Sequence, residues 1–168
     1  MQTQTPVVRP RARIVVGVDG SEPSEDALRW AVATARVWRA DLEVVTAWRP
    51  RLAPFGAAVV LAPWDPRRDA DTVARGVVDR VLDPQRPATL TVEAVEGHAG
   101  AVLTDRARGA DLLVVGSRGH GGFAELALGS VSRHCVEHAS CPVVVVRPAR
   151  VAERAPAPVG VGPAVAAT

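Results

Sequence analysis

Short runs of wholly apolar residues alternate along the chain with longer stretches in which apolar residues return every three or four positions. The first run, Ile-Val-Val-Gly-Val within Arg13 to Asp19, predicts a fully buried strand. It ends in Asp19, Gly20 and Ser21, a turn signal whose serine is placed to cap a helix that carries Pro23 in its first turn. From Glu25 to Arg39, residues Ala27, Leu28, Ala31, Val32 and Ala35 recur at i, i+3, i+4 spacing, so one face of this helix is buried. Leu42 to Ala47 predicts a second strand, and Asp69 to Leu82 a second helix with Val73, Val77, Val78 and Val81 on one side. Thr89 to Val95 alternates as a third strand, Ala99 to Arg108 is a short helix, and Asp111 to Val115 a fourth strand. Gly129 to Ala139 is the last helix and Pro142 to Val146 the last strand. Strands with no polar face, separated by helices, make an α/β fold: a five-stranded parallel sheet with helices on both faces.

The ends and one internal stretch break the pattern. Residues 1–12 read as a loose arm, 13–148 as one domain, and 149–168, built of Pro, Ala, Gly and Val without periodicity, as a disordered tail. Arg49 to Asp65 carries Pro50, Pro54 and Pro63 around an apolar centre (Phe55 to Leu61) and Trp64, and reads as a long loop and a candidate lid.

Composition narrows the function classes. A formal charge of +2 over 168 residues, without a basic run, argues against nucleic acid as the main partner. All 20 basic residues are arginine, which excludes the lysine-dependent phosphate loop and Schiff-base chemistry. Two cysteines make no disulfide framework, no apolar run follows the N-terminal arginines, and no stretch is long enough for a membrane helix. These features predict a soluble protein of a reducing cytoplasm.

The candidate chemistry lies after the fourth strand. Gly116 and Gly119, then Gly129 and Ser130 after a nine-residue gap, connect that strand to a helix start. Glycines let the main chain turn and approach a ligand closely, and a helix N-terminus offers free N–H groups at its positive dipole end. Ligands of open parallel sheets sit beyond the carboxyl ends of the strands, where the strand order reverses. If the first and fourth strands are neighbours there, Asp19 faces the glycine loop across one crevice.

The spacing Gly116, Gly119, Gly129, Ser130 fits G-x2-G-x9-G-[ST]. Together with Ile14 to Ser21 (Ile-Val-Val-Gly-Val-Asp-Gly-Ser) and Cys141 to Val146 (Cys-Pro-Val-Val-Val-Val), it resembles the ATP-binding branch of the universal stress protein family. The likeness runs from about Arg13 to Pro148. It implies a Rossmann-like sheet of order 3-2-1-4-5 and a stress-response module in which ATP, travelling with magnesium, is a conformational ligand. It also implies the site: Asp19 at the base and ribose edge, with main-chain groups of Ala47 on the base; Gly17, counted with the cofactor-binding residues, stands where other members often differ. Val115 and Gly116 line base and ribose, Arg118 and Gly119 border ribose and phosphates, and Gly129, Ser130, Val131 and Ser132 hold phosphate oxygens through N–H and hydroxyl groups. On this reading Gly119→Val or Gly129→Val abolishes ATP binding. Gly121 and Gly122 add freedom to the phosphate loop, and the Pro-rich insertion shields or obstructs the entrance.

Other groups carry less. His134 and His138 share a helix face as zinc ligands do, but Cys135 points about 100° away and Cys141 lies past the helix end, so no metal site is predicted. No nucleophile elbow occurs and His120 is the one proton-transfer group in the loop, so no catalytic residue is named. An ATP-hydrolysing enzyme and a nucleotide-independent dimeric scaffold stay open as alternatives. The very apolar Pro142 to Val146 predicts a homodimer formed by pairing that edge strand with its copy, and a further protein partner is implied for signal output.

Overall fold

The structure, a computed structural model, describes residues 11–50, 65–82, 89–119 and 128–148. His120, Gly121, Gly122, Phe55 to Trp64, residues 1–10 and the tail 149–168 lie outside the described residues. Five strands and four helices alternate: β1 (Arg13–Gly17), α1 (Glu22–Trp38), β2 (Asp41–Trp48), α2 (Pro66–Val81), β3 (Leu90–Glu96), α3 (Ala99–Arg106), β4 (Leu112–Gly116), α4 (Ser130–His138) and β5 (Val143–Val146). All pairings are parallel and the sheet order is β3-β2-β1-β4-β5, as the resemblance implied. The order reverses between β1 and β4, which pair directly through Ile14–Leu112, Val15–Leu113 and Val16–Val114.

The sheet separates two apolar layers. On one face Ile14, Val16, Leu42, Val44 and Val114 pack against Leu28, Ala31 and Ala35 of α1 and Ala74, Val77 and Val78 of α2. On the other, Val15, Val45, Leu113 and Val115 pack against Val102 and Leu103 of α3 and Cys135 of α4. Ile14, Leu28, Leu42 and Leu113 are almost wholly out of water, each worth about 1.5–3 kcal/mol of transfer free energy.

Helix starts differ from the periodicity reading where caps act. Asp65, assigned above to the loop, accepts hydrogen bonds from the N–H of Arg67 (3.0 Å) and Arg68 (3.2 Å). Pro66 follows as the first helical residue, so α2 begins three positions before Asp69, the start that periodicity predicts. α1 likewise begins at Glu22, with Pro23 in its first turn. It ends at Arg39, held at φ 53°, whose N–H returns to the carbonyls of Ala35 and Arg36.

At the amino ends of the strands a charged lattice ties α3 to the sheet. Buried Glu43 accepts from Arg13 Nη1 (2.9 Å) and Arg106 Nε (2.5 Å), and Arg106 Nη2 also donates to Glu93 (2.6 Å). This network stands at the opposite end of the sheet from the glycine turns.

Candidate functional site

The turn after β1 is built by short polar side chains. Val18 N–H still pairs with Val45 (2.9 Å), while the Val18 carbonyl accepts from the Thr46 hydroxyl (3.0 Å). The chain then bends through Gly20 at φ 86°. Asp19 Oδ1 accepts from the Ser21 N–H (3.0 Å) and the Ser21 hydroxyl (2.5 Å). Ser21 does occupy the N-cap position, but its hydroxyl is committed to Asp19 and makes no cap bond to α1. Its carbonyl accepts the Ser24 hydroxyl (2.7 Å) instead.

Where pairing with β1 stops, β2 runs on. Asp41 donates to the Ala12 carbonyl and Leu42 to that of Thr89, so odd residues of β2 direct their main-chain groups toward β1. Gly17 is the last residue of β1, opposite Val45. The N–H and C=O of Ala47 therefore face the cleft with no strand partner on that side among the described residues. This geometry suits the main-chain role expected of Ala47.

The turn after β4 presses against the turn after β1. A β-carbon on Gly116 would meet the Pro23 carbonyl oxygen at 2.7 Å and the Ser24 nitrogen at 3.0 Å, so only glycine fits there. Ser117, almost fully buried, donates its N–H to Val146 (2.7 Å), and its carbonyl receives the Gly129 N–H (2.8 Å) and the Ser132 hydroxyl (3.0 Å). These contacts latch the start of α4 to the end of β4. Within the latch the amide of Gly129 and the hydroxyl of Ser132 both donate to the Ser117 carbonyl. Among the described residues the main-chain N–H of Ser130, Val131 and Ser132, the first three of α4, have no helical partner, and the Ser130 side chain lies on an exposed residue.

One cavity of about 430 Å³ collects these elements. Gly17, Asp19, Ala47, Val115, Gly116, Arg118, Gly119, Gly129, Ser130, Val131 and Ser132 all line it. Five lining residues escaped the sequence reading: Val18, Ser24, Val45, Ala99 and Leu103. Val45 shares a strand face with Ala47, and Ala99 and Leu103 are four apart on α3. Both signals were legible, but all three residues read equally well as core. The cavity has a polar end at α4 and Arg118 and an aliphatic end at β2 and α3.

The histidine and cysteine cluster does something else. The rings of His134 and His138 stack at 4.3 Å, and His138 Nδ1 lies 3.0 Å from the His134 carbonyl. Cys135 is fully buried under the sheet, and burial pushes its thiol up to about 11. No group of three or more metal-binding side chains occurs among the described residues. Nor is any described helix long and apolar enough to cross a membrane.

The sequence profile of the universal stress protein family matches residues 10–147. The chain belongs to the universal stress protein family. Universal stress protein Rv2623 of Mycobacterium tuberculosis is 34% identical over 138 residues, covering 79% of this chain and 46% of the relative. Universal stress protein Rv1996 of the same species is 33% identical over 168 residues, covering 88% and 53%. The chain thus spans about half the length of these curated relatives. Among solved structures, universal stress protein UspA from Lactobacillus plantarum superposes with a TM-score of 0.66 at 24% identity, over 83% of this chain and 99% of that one. A universal stress protein crystallised in complex with cAMP gives a TM-score of 0.63 at 27% identity, over 82% and 97%.

Proposed function

We propose that this family member is a regulatory module that binds a purine nucleotide, ATP foremost, with the phosphates over the start of α4 and the base at the aliphatic end of the cavity. The observation that carries this reading is the meeting of three elements in one cleft at the strand-order reversal. These are unpaired amides of α4, the open main chain of Ala47, and Gly119 lying against Asp19. The cAMP complex of a relative at 27% identity agrees with a nucleotide ligand.

Phosphate oxygens would accept from the N–H of Ser130, Val131 and Ser132, where the helix dipole favours negative charge. Asp19 is the one carboxylate lining the cavity among the described residues, and its Oδ1 accepts from Ser21. Magnesium would therefore enter with the phosphates rather than occupy a carboxylate cage of its own. Among the described residues the cavity offers few proton-transfer groups, which favours holding the nucleotide over turning it over, so ATP acts by changing what a protein partner sees.

A dimer completes the proposal. β5 is the outer strand beyond β4, and its four valines are only half buried. Pairing with the β5 of a second copy would cover that edge.

Isothermal titration calorimetry with Mg·ATP tests the reading. Saturable binding by the wild type, lost in Gly119→Val with the fold retained by circular dichroism, is the expected result. No heat from the wild type, or equal affinity in the variant, contradicts it.

A further inference from the structure

The aliphatic end of the cavity is shaped by a side chain standing where another residue has none. A β-carbon on Gly17 would lie 2.7 Å from Leu103 Cδ1, 3.0 Å from Cδ2 and 3.5 Å from Cγ. Gly17 does not have a positive φ, so its backbone makes no demand for glycine. The space does, because Leu103 fills it. Leu103 is itself only 5% exposed and reaches in from α3 to line the cavity beside Val18, Val45, Ala47, Ala99 and Val115. None of these six offers a side-chain donor or acceptor.

We propose that the Gly17–Leu103 contact sets the size of the ring system the cavity takes. It makes Leu103 the residue that selects an unsubstituted purine against an enlarged one. The inference rests on the nucleotide reading above and deepens it. With no polar side chain at this end among the described residues, a base meets only main-chain groups such as those of Ala47 there. Discrimination between a purine and its enlarged analogues then falls to volume, and a single methylene in an apolar pocket changes affinity by about ten-fold or more.

The two residues act with opposite signs. Gly17→Ala puts a methyl group into the Leu103 niche. The side chain must swing its flexible end away, and the open direction is the cavity, which shortens the space for the base. Leu103→Ala removes the stop and lengthens that space. Leu103→Val does so by less and guards against loss of the fold, since truncating a buried leucine is costly to stability.

The experiment is calorimetric titration of the full chain and the three variants with ATP, CTP and ATP analogues enlarged at N6, C2 or C8. Thermal unfolding confirms that each variant is folded. The wild type is expected to bind ATP and to bind each enlarged analogue more weakly. Leu103→Ala, or Leu103→Val should the first not fold, gains about ten-fold for at least one enlarged analogue relative to ATP. Gly17→Ala loses about ten-fold for ATP while its affinity for CTP changes less. A wild type that binds ATP, with no analogue gaining in the leucine variants and no loss in Gly17→Ala, overturns the inference alone. A wild type that binds no nucleotide overturns the reading beneath it as well.

Discussion

The carboxylate of Asp19 occupies the space that a β-carbon on Gly119 would need. The turn after β1 and the turn after β4 thus meet without a side chain between them, and any residue but glycine at 119 must displace Asp19. Gly119 is exposed and in a turn, so little of the core depends on it. For Gly119→Ala the expected outcome is a fall in ATP affinity of about ten-fold or more, with unfolding free energy unchanged within about 0.5 kcal/mol. Calorimetry and urea titration read the two effects separately.

Gly129 behaves differently, although the motif treats the two glycines alike. Its φ is −73°, open to any residue, and a β-carbon would make ordinary contacts with Arg118 Cα at 3.4 Å and the Ser117 carbonyl at 3.5 Å. Its amide already serves Ser117. Gly129→Ala is therefore expected to keep ATP affinity within about three-fold of the wild type. The loss that the motif alone suggests for this position does not extend to alanine. A large drop on calorimetry would show that the approach at 129 is tighter than the present geometry.

Cys135 gives the fold an alkaline limit. Burial, with Cys141 as a lesser influence, raises its thiol from 9.0 to about 11. The unfolded chain releases this proton first, so between pH 9 and 11 the unfolded state binds fewer protons and stability falls as pH rises. Below pH 9 the effect is absent. The expected loss approaches 2 kcal/mol by pH 11, and Cys135→Ala removes that part of the slope in urea unfolding across this range. Iodoacetamide at pH 8 should label the half-buried Cys141 ahead of Cys135.

The edge of β5 can be tested at one atom. Leu113 donates to the Pro142 carbonyl and Ser117 to that of Val146, so even residues of β5 serve β4, while Val143 and Val145 point their main-chain groups outward. Val145→Pro removes an outward N–H without breaking the ladder to β4. In sedimentation velocity the wild type is expected as a dimer and Val145→Pro as a folded monomer. A monomeric wild type, or a dimeric variant, would contradict pairing through this edge.

Much of the architecture is legible in the sequence. Ile14 to Val18 and Asp111 to Val115 have no polar face, and only a sheet covered on both sides buries such strands. Local periodicity located α1 and α2 but not their starts, because Asp65 and Pro66 act through a cap bond rather than through burial. The cavity lining was legible through the glycine spacing and the family likeness together. What neither could convey is how the donors are allotted. The Gly129 amide and the Ser132 hydroxyl are consumed by Ser117, a residue 12 and 15 positions away whose carbonyl is brought there only by the tertiary fold. Leu103 was hidden for a related reason, since a leucine on a short helix reads as core until the niche left by Gly17 is seen.

The central claim is that the first amides of α4 hold the nucleotide's phosphates, and heteronuclear NMR of uniformly ¹⁵N-labelled protein titrated with Mg·ATP tests it most directly. Saturable shifts are expected that are largest at the amides of Ser130, Val131 and Ser132, with Ala47 also moving and the Glu43 region still. Saturable binding that leaves those three amides unmoved, or no saturable shift at all, would contradict it.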